Sequence, residues 1–267
     1  MNGIIINIDP VIFRLGSFEF RWYALAILTA AIAAVFLVIR GAKQKGLPTE
    51  MVLGLTPWVM VGGILGARLF HVADHLDYYL SYPGQILQIQ QGGLAIWGAL
   101  VGGGLVIVIY AIIKRIPLGL LGDILVPGLL SGQIIGRLGC IINGDAAGGP
   151  TTLPWGFIYL NPGASISPDL LGIATHPYPL YEMLWNGAIL LAVILVAKRV
   201  KRQGVLFAVY LSAYALGRLV LSTLRSEPVL FWGLQEAQVF ALAAWALTAI
   251  IVSRLIRHKP ISEGVTR

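Results

Sequence analysis

Charge is what this chain has least of: Asp, Glu, Lys and Arg make up 12% of its 267 residues, against roughly 25% in an ordinary soluble domain. The shortfall excludes a water-exposed surface of normal composition. No polar stretch is long enough to form a separate soluble domain. A single cysteine, Cys140, excludes an intrachain disulfide. The first residues, MNGIIINIDP, carry neither a basic n-region nor a small-residue cleavage site, so no removable signal peptide is expected. Internal repeats are also lacking, which disfavours a transporter built from inverted halves.

What fills the space is apolar, with 57% hydrophobic residues. Crossing a hydrocarbon core of ~30 Å takes about 20 apolar residues at ~1.5 Å of rise each. Seven runs qualify, at roughly 20–40, 51–71, 93–113, 118–138, 179–197, 204–222 and 234–256. Pro127 and several glycines interrupt the fourth, a break tolerated where freed backbone is buried in protein or faces a cavity. The expected fold is all-α and integral to a membrane: one polytopic domain over residues 1–267. A Gly/Pro-rich segment of about 139–178 is inserted between spans four and five.

The net charge of +7 would suggest nucleic acid in a soluble protein, but its distribution argues otherwise. Thirteen of the 19 basic residues follow spans one, three, five and seven: Arg40, Lys43, Lys45; Lys114, Arg115; Lys198, Arg199, Lys201, Arg202; Arg254, Arg257, Lys259, Arg267. The positive-inside rule puts those segments in the cytoplasm, the N-terminus outside and the C-terminus inside. The 72–92 and 139–178 segments then lie outside, and Tyr78, Tyr79 and Tyr82 suit a membrane interface. Trp22, Trp58, Trp155, Trp232 and Trp245 read as interfacial belt or packing residues. Gly62, Gly63, Gly66 and Gly102–Gly104 read as sites of close helix packing.

Six cations remain, and all are arginine: Arg14, Arg21, Arg68, Arg137, Arg218 and Arg225. A charge at a membrane segment is costly and marks function by default. Arg68, Arg137 and Arg218 end the three spans that run outward, so several arginines share the outer-leaflet level. The planar guanidinium fork holds phosphate oxygens bidentately, and a phosphate pocket is expected there. Snorkelling, or pairing with Asp74, Asp77 and Asp145, is the plainer reading for Arg14 and Arg21. Tyr214, Arg218, Ser222 and Arg225 fall within a stripe roughly 80° wide on span six, which must face protein or water. His71 and His75 stand at i, i+4 beside Asp74 and Asp77, but no further ligand cluster supports a metal and none is expected. His176 and Glu182, flanking the start of span five, read as residues that assist proton transfer or, the favoured reading, fix the outer loop by hydrogen bonds. Cys140 reads as a small packed residue.

From Gly136 the chain reads GRLGCIINGDAAGG, where glycines let backbone approach an anion and Asn143 and Asp145 orient donors. This segment resembles the signature G-R-x-G-N-x-x-N-x-E-x-x-G of the prolipoprotein diacylglyceryl transferase family, matched in place by Gly136, Arg137, Gly139, Asn143 and Gly148. Further matches are Arg21-Trp22-Tyr23, GGILGARLF at 62–70, GGLAIWGALVGG at 92–103, His176-Pro177 with Leu180-Tyr181-Glu182, and Tyr214 with Arg218. Cys140 and Asp145 depart from the family's Asn and Glu. Trp97 replaces a histidine proposed to assist catalysis, and Ser222 a glutamate; an indole cannot accept a proton.

The resemblance implies a transferase of the bacterial cytoplasmic membrane whose site faces the outer leaflet. It implies transfer of the diacylglyceryl group of phosphatidylglycerol to the lipobox cysteine of a signal-peptide-bearing prolipoprotein, with glycerol phosphate leaving. Its partners would be phosphatidylglycerol, prolipoproteins and membrane lipid, not nucleic acid. No cofactor is implied, because the donor lipid carries the leaving group. The residues expected to bind phosphatidylglycerol are Arg137, Asn143, Gly148 and Arg68; those expected to act in catalysis are Arg218, Tyr23, Tyr214 and Asp145. The rival reading is a non-enzymatic carrier or channel for an anion or anionic lipid. It would favour repeats and charge near the midplane.

Overall fold

The computed structural model describes residues 3–16, 18–89, 92–225, 229–231 and 233–257. Lys259 and Arg267, counted above with the cytoplasmic cations, and Trp232 lie outside the described residues. Seven of the described helices are long and apolar enough to cross a membrane. They are α1 (Trp22–Gln44), α2 (Thr49–Asp74), α4 (Ile96–Ile113), α5 (Leu118–Asn143), α6 (Tyr178–Ala197), α7 (Val205–Leu221) and α8 (Glu236–Arg257), while α3 (Leu76–Ser81) is a short connector. Leu28, Ile32 and Phe36 on α1 are 55%, 62% and 60% exposed. Spaced by four, they form one apolar face of the kind that lipid covers.

The chain divides into two compact units, one of Val38–Leu121 and one of Met1–Leu37 with Gly122–Arg267. In the first, α2 and α4 meet backbone to backbone. A Cβ on Gly66 would lie 2.3 Å from the Gly98 carbonyl oxygen, and one on Gly98 2.2 Å from that of Gly66. A Cβ on Gly102 would lie 2.2 Å from the Gly62 carbonyl oxygen. Gly62-x3-Gly66 and Gly98-x3-Gly102 thus form facing small-residue stripes, the packing that lets apolar helices associate in lipid by dispersion.

In the second unit, α5, α6 and α7 share a core of Val126, Leu130, Ile189, Val193 and Tyr210. Asp123 on α5 accepts the N–H groups of Gly204 (2.7 Å) and Phe207 (2.9 Å), engaging two donors at the start of α7. The indole N–H of Trp185 donates to the Ala213 carbonyl at 2.9 Å, and Gly217 leaves the space its ring needs.

Three differences from the expected layout matter for the site. α5 runs unbroken through Pro127, since proline removes one N–H while an apolar setting offers no water to replace the remaining bonds. It also continues to Asn143, so Gly139, Cys140 and Asn143 form its last turns rather than a loop. The segment that follows is not wholly irregular. β4 (Phe157–Tyr159) pairs in parallel with β1 (Ile4–Ile6) and antiparallel with β5 (Ala174–Thr175), around a core of Ile6, Phe157, Tyr159 and Ile166. A hairpin of β2 (Val11–Leu15) and β3 (Phe18–Arg21) leads directly into α1. A second hairpin, β6 (Val229–Phe231) and β7 (Leu234–Gln235), precedes α8.

Candidate functional site

Three helices of the second unit each present a polar pair at helical spacing: Arg137 and Cys140 on α5, Tyr178 and Glu182 on α6, Tyr214 and Arg218 on α7. Glu182 lies at their centre and is only 3% exposed. One of its carboxylate oxygens, Oε2, pairs with Nη2 of Arg137. The other, Oε1, accepts Nη1 of Arg218 at 2.5 Å and the Tyr178 hydroxyl at 3.1 Å. Arg218 Nη1 also donates to the Tyr178 oxygen at 2.8 Å. Arg137 Nη1 reaches the buried Cys140 Sγ at 3.7 Å. Arg137 and Arg225 both lie against the Tyr178 ring, at 6.0 and 5.1 Å from its centroid.

Two guanidiniums therefore share one carboxylate, which leaves the trio with one formal positive charge in a buried setting. Like charges held so close would repel by on the order of 3 kcal/mol at an effective dielectric of about 20. The carboxylate between them offsets that repulsion. Arg218 Nε, also buried, has no hydrogen-bond partner among the described residues. A buried donor left unmade costs about 1–3 kcal/mol, so the arrangement invites an acceptor from outside the chain.

Beside this trio the loop is braced. Asn143 Nδ2 donates to Asp145 at 2.9 Å and to Ser165 at 3.2 Å, and its Oδ1 accepts Arg21 at 3.4 Å. Arg21 also pairs with Glu19 at 2.9 Å, and that bond holds the exposed Glu19 carboxyl below its ordinary value. Arg14 pairs with Glu19 at 3.1 Å. Both hairpin arginines thus find a counter-ion, though it is Glu19 rather than the aspartates expected. The Tyr159 hydroxyl donates to the Ile141 carbonyl at 3.0 Å, and burial pushes its phenol up.

Of the expected site residues, the structure brings Arg137, Arg218 and Tyr214 together, with Tyr214 stacked on Tyr210 at 5.9 Å. Tyr23, on the first turn of α1, packs on α5, where a Cβ at Gly139 would come within 3.3 Å of its Cα. Asn143 and Asp145 are hydrogen-bonded to each other beside the loop. Gly148 has a different part. Its N–H donates to the His176 carbonyl at 3.0 Å, and a Cβ there would meet His176 Cβ at 2.6 Å and the Leu224 oxygen at 2.8 Å. The residue allows three chain segments to meet, and its N–H is not available to an anion. It also lines a cavity of about 180 Å³ with Ser165, Ser167 and Arg225.

Arg68 departs from the expected phosphate contact as well. In its own unit it is 6% exposed, and its guanidinium donates to four carbonyls: Gln85 (2.5 Å), Ile86 (2.8 Å), Gly92 (3.0 Å) and Gly93 (2.9 Å). It braces a loop. Trp97, on α4, is half-buried.

Glu182, expected to assist proton transfer or to fix the outer loop, joins the two arginines instead of standing apart from them. The signal was present: a carboxylate near the start of an apolar span, in a chain with surplus arginines, requires a partner.

Half-buried arginines around a buried carboxylate, on helices long and apolar enough to cross a membrane, define a polytopic membrane protein with an arrangement able to meet an anionic group. Comparison with known proteins agrees. Residues 10–254 match the model of the family described as prolipoprotein diacylglyceryl transferase. The chain belongs to that family. It is 36% identical over 264 residues to the phosphatidylglycerol--prolipoprotein diacylglyceryl transferase of Nostoc sp., covering 96% of this chain and 93% of the relative. It is 36% identical to the protein of that name from Thermosynechococcus vestitus, over 95% of each chain. With that of Lysinibacillus sphaericus it shares 33% identity over 97% of each.

Proposed function

We propose that Arg137 and Arg218 form the phosphate clamp of a phosphatidylglycerol--prolipoprotein diacylglyceryl transferase. Family membership and the names of the relatives carry the activity: transfer of the diacylglyceryl group of phosphatidylglycerol to a prolipoprotein cysteine, the first step of lipoprotein maturation. One observation carries the residue assignment. Two arginines from different helices share a single buried carboxylate, and Arg218 Nε has no acceptor among the described residues.

The chemistry accounts for the need. A thiol with a pKa near ~8.5 must lose its proton to become the nucleophile. Its sulfur then bonds to the glyceryl carbon, the bond from that carbon to a phosphate oxygen breaks, and the electron pair stays on that oxygen. A phosphodiester carrying one negative charge becomes glycerol phosphate carrying nearly two. Guanidiniums already in place stabilise this developing charge without reorganising. In this reading Arg137 holds the donor phosphate and Arg218 the leaving oxygen. Tyr23 and Tyr214 position the headgroup, and Asn143 with Asp145 keeps the loop in place.

The chain is a multi-pass membrane protein, and its bacterial relatives support the cytoplasmic membrane as its location. The distribution of Lys and Arg supports an N-terminus outside, a C-terminus in the cytoplasm and a site open to the outer leaflet, within one polytopic domain. The test combines purified protein, radiolabelled phosphatidylglycerol and a lipobox peptide, beside an Arg137→Ala variant. Label on the peptide cysteine together with released glycerol phosphate is expected from the unaltered chain and not from the variant. Lipid binding without transfer would instead support the carrier reading.

A further inference from the structure

Glu182 is paired with both arginines through separate oxygens, and Tyr178 closes the arrangement from the preceding turn of α6. Removing the carboxylate would leave two guanidiniums facing a ligand with their full charge. With it present, one of those two charges is neutralised inside the protein. We propose that Glu182 is a positioning and charge-setting residue that biases the arginine pair toward a phosphodiester and against a phosphomonoester, so that the donor lipid is held and glycerol phosphate is released. This rests on the transferase reading above.

The physical reason is a difference in ligand charge. The donor's phosphodiester carries a single negative charge, whereas a phosphomonoester, with a second pKa near ~6, carries about two at pH 8. Each full charge added to the pair favours the dianion more than the monoanion, because Coulomb energy scales with the product of the charges. A clamp that gripped the product as it stabilises the transition state would slow release, and release limits many enzymes.

Glu182 also fixes where the two forks stand, since both of its oxygens are engaged. The groups around it come from three helices and the turn after α7: Arg137 and Cys140, Tyr178, Tyr214 and Arg218, with Arg225 against the Tyr178 ring. Asp145 stands one step away, bonded to Asn143.

The experiment measures inhibition of peptide lipidation at pH 8 by glycerol phosphate and by its methyl diester, which are close in size and differ by one charge. The enzymes are the unaltered chain, Glu182→Gln and Glu182→Asp. In Glu182→Gln, glycerol phosphate is expected to strengthen about tenfold relative to the diester. KM for phosphatidylglycerol and kcat should fall together. Glu182→Asp, which restores the carboxylate, should keep the unaltered ratio. A structural role alone would raise KM or lower folded yield without moving the ratio, and an unmoved ratio overturns the proposal while the transferase reading stands. Should Glu182→Gln fail to fold, the unaltered chain decides: with one guanidinium charge neutralised, glycerol phosphate is expected to inhibit no more than a few-fold better than the diester, and a preference of about tenfold or more for the monoester overturns the proposal. No transfer by the unaltered chain would overturn the transferase reading, and this inference with it.

Discussion

Arg68 and Arg137 look alike in the sequence, each an arginine near the end of an apolar run, yet their surroundings give them different work. Arg68 meets four backbone carbonyls, which are neutral acceptors, and so keeps its full charge while tying down the chain between Gln85 and Gly93. Arg137 meets a carboxylate that it shares with Arg218. The first arrangement consumes donors to build structure. The second pools two cations around one anion and leaves a donor on Arg218 without a partner among the described residues. The acceptor, more than the arginine, distinguishes a brace from a binding site.

That contrast can be broken from either side. The largest effect is expected from Arg137→Ala or Arg218→Ala: transfer to a lipobox peptide should fall roughly 10²–10³-fold, as for other lost charge-stabilising donors. Thermal unfolding should shift little, because the remaining arginine keeps Glu182 paired.

Gly66→Leu should act in the opposite sense, through structure alone. A side chain cannot enter where a Cβ would already lie 2.3 Å from the Gly98 oxygen. Overpacking of this kind costs on the order of 3 kcal/mol or more. A sharp loss of detergent-stable, folded protein should follow.

Arg68→Ala is expected to cost about 2 kcal/mol, since bonds from a charged donor are the stronger ones. Limited proteolysis should show new cleavage between residues 83 and 93, with transfer falling only in step with the folded fraction. A collapse of transfer in well-folded Arg68→Ala would erase the distinction drawn between the two arginines.

Asp123→Ala, which removes the acceptor for two N–H groups at the start of α7, should cost about 1 kcal/mol in thermal unfolding. Transfer per folded molecule should be unchanged.

Much of this was legible beforehand. The seven spans follow from apolar runs of membrane length, and their observed ends differ from the expected ones by only a few residues. The glycines of α2 were readable as packing sites because a four-residue spacing of small residues on an apolar helix has few other uses. On α4, by contrast, only Gly102 of the three expected glycines makes the close contact, with Gly98 as its partner in the stripe and Gly104 meeting nothing within 4 Å. The site was legible in part. Arg137 and Arg218 stood out as charges in costly places, whereas Glu182 did not, because a single carboxylate at a helix start has several ordinary uses. Gly148 and Arg68 were placed with the phosphate because arginine and glycine favour anions in general. What withdrew them was the identity of their partners, His176 and Leu224 for one and the 85–93 carbonyls for the other. The small sheet was not legible at all, since β1 and β4 are three residues each and about 150 positions apart, and no local pattern announces such a pairing.

By itself the sequence determined that the chain crosses a membrane, how many helices do so, and which arginines are too costly to be idle, because hydropathy and charge are properties of composition and local order. Only the tertiary structure decided which of those arginines share a carboxylate and which brace a loop. Hydrogen bonds and ion pairs act over a few ångströms, and residues as distant in the chain as Arg137, Glu182 and Arg218 reach that range only after the helices pack.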